Sequence, residues 1–312
     1  MIDVLHARCA QPRGDVALGI GDDAALLDVP AGRQLVACTD TLVAGVHFLP
    51  GTAPGDIGWK ALAVNLSDLA AMGAEPAWVL LALTLPGGDA RFVERFADGF
   101  AELARAHGVA LVGGDTTQGP LSVTPTALGS VPTGQALTRG GARPGDAVFV
   151  TGTLGDAAGA LRLLRRADRV PAALHARMLR PQPRIAAGIA LRGIASACID
   201  VSDGLLADLG HVCAARELGA ELDAEAVPLS AALAAGFDPA TCLELALAGG
   251  DDYELCFTAP AARGQEIVDK LDAAGCGATK IGRIVAGSGV RVLDARGNVM
   301  ALPRAGWEHF AQ

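Results

Sequence analysis

The segment "LGIGDDAALLD" at residues 18–28 decides between two folds. Gly19, Gly21 and Ala24 match the dinucleotide-binding fingerprint G-x-G-x-x-A, and Asp40 lies about where the ribose-binding acid is expected. In that fingerprint the glycines open a crossover helix whose N-terminal N–H groups meet a pyrophosphate. The first question is therefore whether such a helix can follow.

The residues after Gly21 leave no room for that helix. "AALLDV" reaches Pro30 within nine residues of Gly21, and both proline and the glycine that follows favour a turn. Asp22 and Asp23 occupy the turn itself, where two carboxylates would repel a bare pyrophosphate. They become favourable if Mg²⁺ lies between them and phosphate groups. We therefore reject a Rossmann loop and interpret the segment as a strand, a turn and a strand that supplies carboxylates.

Composition sets the class of protein. The 312 residues suffice for two domains, and because 51% of them are apolar the chain can bury a sizeable core. The formal net charge of −9 disfavours binding to nucleic acid, whose phosphates require a basic surface. An acidic protein can still bind a phosphorylated ligand when divalent metal ions invert the local charge.

Cysteine usage and hydropathy predict a cytoplasmic protein. The seven cysteines form no C-x-x-C pair, which is typical of reduced thiols and argues against a disulfide framework or a zinc site. The N-terminal segment carries Asp3 and Arg8 where a signal peptide would need an apolar core. The longest uncharged run, 116–138, contains three prolines, so we expect no membrane helix.

Apolar periodicity predicts an α+β arrangement in the first half of the chain. Residues 54–76 form the clearest helix, with Asp56 as the expected N-cap and Gly73 at the end. An amphipathic helix is expected over 89–108, after the buried strand "AWVLLALTLP". Together with the β-rich segments before and after, this pattern predicts a mostly antiparallel sheet covered by helices.

The segment "TRGGARPGD" at 138–146 is the best domain boundary, because it is rich in Gly, Pro and Arg. We therefore divide the chain into residues 1–140 and 141–312. The second half again alternates strands and helices. In it, "LALAGGDDYELCFTA" (245–259) is expected to be a strand entered through paired glycines.

Aspartates recur beside small polar residues along the whole chain. Each alone is typical of a helix cap or turn, but "CTDT", "GGDTT" and "DVSDG" pair an Asp with Ser, Thr or Gly. Such segments offer hard oxygen ligands and backbone N–H groups that approach phosphates closely. Together they predict a phosphate site with several Mg²⁺ ions. The phosphate-binding P-loop, H-E-x-x-H and G-x-S-x-G motifs are absent.

Seven segments, in order along the chain, resemble thiamine-monophosphate kinases of the aminoimidazole-ribonucleotide-synthetase-like superfamily. They are "GIGDDAALL" (19–27), "TDTLVAGVHF" (39–48), "KALAVNLSDLAAMGAEP" (60–76), "GGDTTQGPLSVT" (113–124), "LTRGGARPGD" (137–146), "IDVSDGLLADLGH" (199–211) and "GGDDYELCF" (249–257). The resemblance implies a two-domain PurM-like α+β / α/β fold, with an N-terminal ATP/metal-binding and dimerisation domain and a C-terminal α/β domain. It also implies a homodimer and ATP-dependent phosphorylation of thiamine monophosphate to thiamine diphosphate.

The resemblance also implies site residues, carried over position by position. The implied Mg²⁺ ligands are Asp23, Thr39, Asp40, Asp68, Asp115, Asp200 and Asp203. The implied ATP contacts are Gly114, Asp115, Arg139 and Ser202, and the implied thiamine-phosphate contacts are His47, Asp251 and Trp307. The chain departs from the family at Asp251, where Glu is usual, and at Cys38, where Ser or Thr is usual. A thiol is a poor Mg²⁺ ligand, so Cys38 could contribute only its backbone carbonyl.

The chemistry needs no catalytic side chain. A phosphate monoester has a second pKa of about 6 and is mostly dianionic at neutral pH, so it attacks without a general base. We expect direct in-line transfer, with Mg²⁺ offsetting the repulsion between phosphates and no phosphoenzyme. For Arg139 and Arg143, a solvated linker and a phosphate clamp are equally good interpretations.

Two kinds of rival function stay open at this point. Sister ATP enzymes would need other residues: selenophosphate synthetase a reactive Cys or Sec in an N-terminal glycine loop, and the hydrogenase-maturation dehydratase a C-terminal Cys where this sequence reads "HFAQ". Aminoimidazole-ribonucleotide synthetase is the third sister enzyme. The other class is a nucleotide-sensing or metal-binding protein without turnover, which an assay with ATP, Mg²⁺ and thiamine monophosphate would distinguish.

Overall fold

A computed structural model describes residues 2–9, 11–301 and 306. The chain forms two compact units. The N-terminal unit comprises residues 1–69 and 74–134, and the C-terminal unit comprises residues 70–73 and 135–312. Each unit has its own sheet.

The N-terminal unit combines a five-stranded sheet, a small hairpin and three helices. Its elements are α1 (Ile2–Cys9), β1 (Val16–Leu18), β2 (Leu26–Leu27), β3 (Arg33–Thr39), β4 (Leu42–Val43), α2 (Pro54–Ala71), β5 (Glu75–Leu85), α3 (Ala90–Ala106), β6 (Ala110–Gln118) and β7 (Ser122–Pro132). The strand order is β3-β7-β5-β6, with β4 paired to β7. Only β5 and β6 are parallel, so the predicted, mostly antiparallel sheet is confirmed.

Helices cover one face of this sheet. The apolar residues of α2 are buried, including Leu62, Leu66 and Leu69. The expected N-cap at Asp56 is wrong, because α2 already begins at Pro54 and Asp56 lies in its first turn. Proline suits the first helical turn, where its missing N–H has no partner to lose. The expected stop at Gly73 is confirmed by its φ of 63°.

The C-terminal unit is built on a six-stranded sheet with helices packed against it. Its elements are β8 (Asp146–Thr151), α4 (Asp156–Arg165), α5 (Ala172–Leu179), α6 (Ile185–Ala190), β9 (Ala197–Asp200), α7 (Leu205–Ala214), β10 (Leu218–Asp223), α8 (Ala231–Gly236), α9 (Pro239–Ala248), β11 (Leu255–Pro260), α10 (Gly264–Ala273), β12 (Ala278–Ala286) and β13 (Gly289–Leu293). The strand order is β13-β10-β12-β8-β11-β9. Short 3₁₀ turns connect some of them, including one at Arg139–Gly141.

The central strands of this sheet are buried on both faces. Val148 and Val150 of β8, together with Cys256 of β11, belong to a core cluster that α7 covers with Leu205 and Leu209. The expected strand over 245–259 is partly wrong, since its first four residues complete α9 and β11 begins at 255. A run of Leu and Ala fits either a strand or a helix. Here the run ends helix α9, which begins earlier, at Pro239. Among the described residues, no helix is both long and apolar enough to cross a membrane.

Candidate functional site

In the N-terminal unit, Asp40 lies directly after β3 and is held by a buried asparagine. The Asp40 backbone N–H donates to Asn65 Oδ1 at 3.1 Å, and Asn65 Nδ2 donates to the Ala61 carbonyl at 3.0 Å within α2. Asn65 is fully buried, so both bonds are protected from water. The helix therefore fixes the end of β3, and Asp68 lies one turn further along α2.

Asp115 lies on β6, in a cross-strand row that reaches Thr41, just beyond the end of β3. Asp115 pairs with Ala82 of β5, and Ala82 pairs with Thr124 of β7. The Thr124 hydroxyl lies 2.9 Å from the hydroxyl of Thr41. Neighbouring strands are about 4.8 Å apart, which places Asp115 about 14 Å across the sheet from Thr41. Such a row is wide enough to hold a polyphosphate with its ions.

Gly114, next to Asp115, can only be glycine. Its φ is 146°, and an added Cβ would lie 2.0 Å from the carbonyl oxygen of Leu81 on the neighbouring strand. The Asp115 carboxylate accepts the Thr116 backbone N–H at 2.8 Å and is exposed. The "GGDTT" segment thus combines an open backbone with an accessible carboxylate, as its sequence predicts.

Thr39, at the end of β3, and His47, further along the chain, are each held by hydrogen bonds to neighbouring residues. The Thr39 hydroxyl donates to the Pro125 carbonyl at 2.9 Å and accepts the Thr126 hydroxyl at 3.1 Å. The backbone N–H of Val43 donates to Nδ1 of His47 at 3.0 Å. Because a backbone N–H can only donate, Nδ1 is the accepting nitrogen, and the ring proton of neutral His47 lies on Nε2.

The first acidic turn is exposed, and the β1–β2 hairpin that bears it packs against the sheet. The Asp23 backbone N–H donates to Asp22 Oδ1 at 2.8 Å in the turn between β1 and β2. Val16 and Leu27 of this hairpin pack against the cluster around Trp78. The Trp78 indole N–H also donates to Asp15 Oδ1 at 3.2 Å. The hairpin base is thus fixed on the sheet, and its carboxylates project from an exposed turn.

No three His, Cys, Asp or Glu side chains among residues 2–9, 11–301 and 306 lie close enough together to hold a metal ion by themselves. The candidate donors in the N-terminal unit are carboxylates and one threonine hydroxyl, all of them oxygen. Mg²⁺ prefers such ligands, keeps several waters and is commonly shared with substrate phosphates. The donor set therefore fits Mg²⁺ ions that phosphate oxygens help to hold.

In the C-terminal unit, a buried carboxylate organises the second acidic segment. Asp200 ends β9, and Ser202, Asp203 and Gly204 lead into α7. The backbone N–H groups of these three residues all donate to Oδ2 of Asp208, at 3.0, 3.1 and 3.1 Å. Burial, with the charges of Asp200 and Asp203, raises the pKa of Asp208 to about 7, and the N–H donors oppose that rise.

A second loop, residues 249–254, packs on the first. The Asp251 N–H donates to the Ser202 carbonyl at 2.7 Å, and the Tyr253 N–H donates to the Val201 carbonyl at 2.9 Å. Asp251 and Tyr253 have φ values of 63° and 54°, which are rare for side-chain-bearing residues. Backbone strain of this kind costs about 1–3 kcal/mol per residue and persists only where surrounding contacts fix it.

Glu254 supplies much of that fixing contact. It is fully buried and accepts the Thr151 hydroxyl at 2.6 Å, Arg177 Nη2 at 2.7 Å and Arg184 Nε at 2.7 Å. Burial raises the pKa of Glu254, but the two guanidinium groups outweigh burial and lower it overall.

Asp252 anchors the middle of the same loop. Both of its carboxylate oxygens accept the Gly155 N–H, each at 3.0 Å. Burial holds the pKa of Asp252 well above its usual range, although this N–H and the charge of Arg177 act against it. The strained loop is thus fixed at two successive acidic positions.

Of two further predicted contacts, the structure describes Arg139 but not Trp307. Arg139 lies on an exposed 3₁₀ turn, which suits either interpretation given for it. Trp307 lies outside the described residues. Cys38, the departure from the family pattern, points its thiol at the Asn65 carbonyl at 3.2 Å.

Three buried acids, Asp208, Asp252 and Glu254, have no role predicted from the sequence. One signal could have indicated Asp208, since it is the one acid inside the apolar run that follows "DVSDG". For Asp252 and Glu254, the acidic run "GGDDYEL" enters a strand that is otherwise apolar. A charged residue in such a place needs a buried partner.

Both halves of the chain match domains of known proteins. Residues 21–131 match the AIR synthase related protein, N-terminal domain, and residues 143–295 match the AIR synthase related protein, C-terminal domain. The thiamine-monophosphate kinase of Escherichia coli K12 is 48% identical over 309 residues, which are 97% of this chain and 95% of that protein.

Two solved structures are similar over most of their length. The crystal structure of thiamine-monophosphate kinase from Stenotrophomonas maltophilia K279a has a TM-score of 0.89 and 50% identity, and the match covers 96% of each chain. The structure of AaThiL complexed with AMPPCP and TMP has a TM-score of 0.80 and 35% identity, and the match covers 91% of this chain and 89% of that one. The predicted two-domain PurM-like fold is confirmed. The chain belongs to the thiamine-monophosphate kinase family, a family of phosphotransferases within the AIR synthase related proteins.

Proposed function

We propose that this protein transfers the γ-phosphate of ATP directly to thiamine monophosphate, forming thiamine diphosphate in the cytoplasm. The observation that carries the proposal is the nearly full-length match to thiamine-monophosphate kinases, one of whose structures holds AMPPCP and TMP. The carboxylates at the strand ends support it, because they offer the oxygen ligands that a magnesium–nucleotide complex requires.

We assign the Mg²⁺ contacts to Asp23, Thr39, Asp40, Asp68, Asp115, Asp200 and Asp203. The nucleotide contacts are Gly114, Asp115, Arg139 and Ser202, and the acceptor contacts are His47, Asp251 and Trp307. When bound, several Mg²⁺ ions would offset the repulsion between the two phosphorylated substrates. We retain the division into residues 1–140, for nucleotide, metal and dimer contacts, and 141–312.

The chain's own residues bind and orient the substrates rather than accept a proton. A general base at His47 would need an accepting nitrogen, but Nδ1 already accepts the Val43 N–H at 3.0 Å. The ring therefore acts as a donor from Nε2, which suits contact with an anionic phosphate. The acceptor phosphate, dianionic above its second pKa of about 6, attacks unaided. No phosphoenzyme is formed, so intact mass after mixing with ATP alone should show no phosphate adduct.

The pH profile tests this mechanism. kcat/KM for thiamine monophosphate should rise through about pH 6 and then level off, because the rise follows the acceptor's own ionisation. His47→Asn should raise KM for thiamine monophosphate and leave the shape of that profile unchanged. Free thiamine, whose hydroxyl must lose a proton during attack, should be a far poorer substrate.

Two results would contradict the mechanism. If His47→Asn removes the acid limb of the profile, His47 is a general base. If free thiamine is phosphorylated as efficiently as thiamine monophosphate, the acceptor is misassigned. An enzyme that binds a non-hydrolysable ATP analogue but never forms thiamine diphosphate would instead support the nucleotide-sensing alternative.

A homodimer is the assembly that the N-terminal sheet supports best. The part of its face that neither the helices nor the β1–β2 hairpin covers carries Leu35, which is 51% exposed, and Leu80, which is 37% exposed. Threonines and alanines of β3, β5 and β7 surround them on the same face. An apolar sheet face of this kind is unfavourable in water and is typical of an interface. Sedimentation equilibrium should give about twice the 31.5 kDa chain mass. A measured mass equal to that of one chain would exclude the dimer.

A further inference from the structure

We propose that Asp208 is a positioning residue for the acidic loop 200–204. It sets the loop backbone so that the Asp203 carboxylate is held ready for the ions of the nucleotide complex. This inference rests on the proposed function, because that function assigns the loop to Mg²⁺.

The geometry concentrates three bonds on one atom. Oδ2 of Asp208 accepts the N–H groups of Ser202, Asp203 and Gly204, at distances between 3.0 and 3.1 Å. Three consecutive N–H groups reach a single oxygen only when the loop curls around it. The loop conformation is thus set by one carboxylate in the first turn of α7.

Burial makes this arrangement hard to replace. Asp208 is 3% exposed, and Gly204, the N-cap of α7, is also buried. Water therefore cannot readily substitute for the carboxylate at the Gly204 N–H, whose bond to Asp208 is buried, whereas the bonds from Ser202 and Asp203 are part-buried. Leaving a buried donor without an acceptor costs about 1–3 kcal/mol, so the loop would rearrange if the acceptor were removed.

The loop that Asp208 fixes is also the surface on which the second loop rests. Asp251 N–H donates to the Ser202 carbonyl at 2.7 Å. Gly250 approaches that same carbonyl so closely that an added Cβ would lie 2.4 Å from the oxygen. Displacing Ser202 would therefore move Asp251 as well, so Asp208 influences both the metal side and the acceptor side of this unit.

Asp208 acts through the backbone, and the experiment is designed to show this. Asp208→Ala removes the acceptor oxygen, whereas Asp208→Asn keeps one oxygen that can accept the three N–H groups but removes the charge. Asp238→Ala is the matched control, since Asp238 is an exposed carboxylate that caps α9 by accepting the Thr241 N–H at 3.0 Å.

Three measurements are made on the full chain. They are the Mg²⁺ concentration for half-maximal rate, the affinity for Mn²⁺ in the presence of a non-hydrolysable ATP analogue, and hydrogen exchange of the amides at 202–204. Loss of a group that orients metal ligands typically weakens metal affinity 10–100-fold. Asp208→Ala should therefore raise the Mg²⁺ requirement and weaken Mn²⁺ affinity at least about tenfold, and accelerate exchange at 202–204.

Asp208→Asn should recover most of the metal affinity, and Asp238→Ala should change none of these values. Equal metal loss in Asp208→Asn and Asp208→Ala would overturn the proposal, because charge or direct ligation would then explain it. Unchanged metal affinity in Asp208→Ala would overturn it too. If the wild type binds Mn²⁺ and nucleotide but does not phosphorylate thiamine monophosphate, the proposed function fails, and the affinities still decide the role of Asp208.

Discussion

The candidate site residues of the two units are held in opposite ways. In the N-terminal unit, Asp23, Asp40 and Asp115 are exposed, and they lie in a turn, directly after a strand and on a strand. In the C-terminal unit, Asp200 is buried, and the loops that bear Asp203 and Asp251 are fixed by buried acids. Exposed carboxylates repel one another and need bound ions, whereas a loop held by buried hydrogen bonds keeps its shape without ligand.

The two units therefore differ in how much their site residues contribute to folding stability. The exposed N-terminal carboxylates Asp23 and Asp115 can be neutralised with little effect on folding, because surface substitutions usually change stability little. The buried acids of the C-terminal unit hold a strained backbone, so changing them affects folding first. The comparison leads to four predictions, from the largest effect to the smallest.

Glu254→Gln should destabilise the protein by about 3–5 kcal/mol, the cost of breaking a buried ion pair by removing one charge. Two guanidinium groups would lose their ionised partner inside the protein. Chemical denaturation at pH 7 measures the difference. Glu266→Gln is the matched control, because its ion pairs with Arg263 and Lys270 are exposed, and it should leave the free energy of unfolding nearly unchanged.

The same variant carries a pH signature. The pKa of Glu254 is lowered from 4.5 in the folded protein, so its ionised form stabilises the fold above pH 4.5. That contribution is lost as the pH falls through the lowered pKa. The gap in stability between wild type and Glu254→Gln should narrow below pH 4.5. A gap that stays constant there would show that Glu254 is not the stabilising ionised group.

Asp68→Asn and Asp115→Asn should each lower kcat by at least about a hundredfold, the scale of losing one preorganised charge-stabilising group. Asp115→Asn should fold as stably as the wild type, because the Asp115 carboxylate is exposed. Asp98→Asn, on the exposed face of α3, is the control and should retain full activity. Near-wild-type turnover in both variants would contradict the proposed site with several Mg²⁺ ions.

Asp251→Asn should raise KM for thiamine monophosphate about tenfold, the scale of one charge-assisted hydrogen bond. Stability should hardly change, since Asn adopts the left-handed conformation required at φ 63° at least as readily as Asp. Glu217→Asn provides the control, with a φ of 53° in a segment to which no role is assigned. An unchanged KM in Asp251→Asn would remove Asp251 from the acceptor contacts.

The sequence determined the elements and the segments that bear the chemistry. Helix α2 follows from the spacing of Leu62, Leu66 and Leu69, because apolar residues at that spacing form one helical face. The Asp-rich segments could be recognised as candidate phosphate and metal sites, because their carboxylates lie beside small and hydroxylated residues. The absence of a Rossmann helix after Gly21 also follows from the sequence, because Pro30 comes too soon.

The tertiary structure alone decided which acids are structural and which are exposed. Asp251, Asp252 and Glu254 lie within four residues, and no local pattern separates them. Asp252 is buried against the Gly155 N–H and Glu254 against Arg177 and Arg184, residues 70–97 positions away. The tertiary structure also decided that Nδ1 of His47 is an acceptor, because the backbone N–H of Val43 donates to it. Partners distant in sequence, and the direction of single hydrogen bonds, depend on packing that no periodicity encodes.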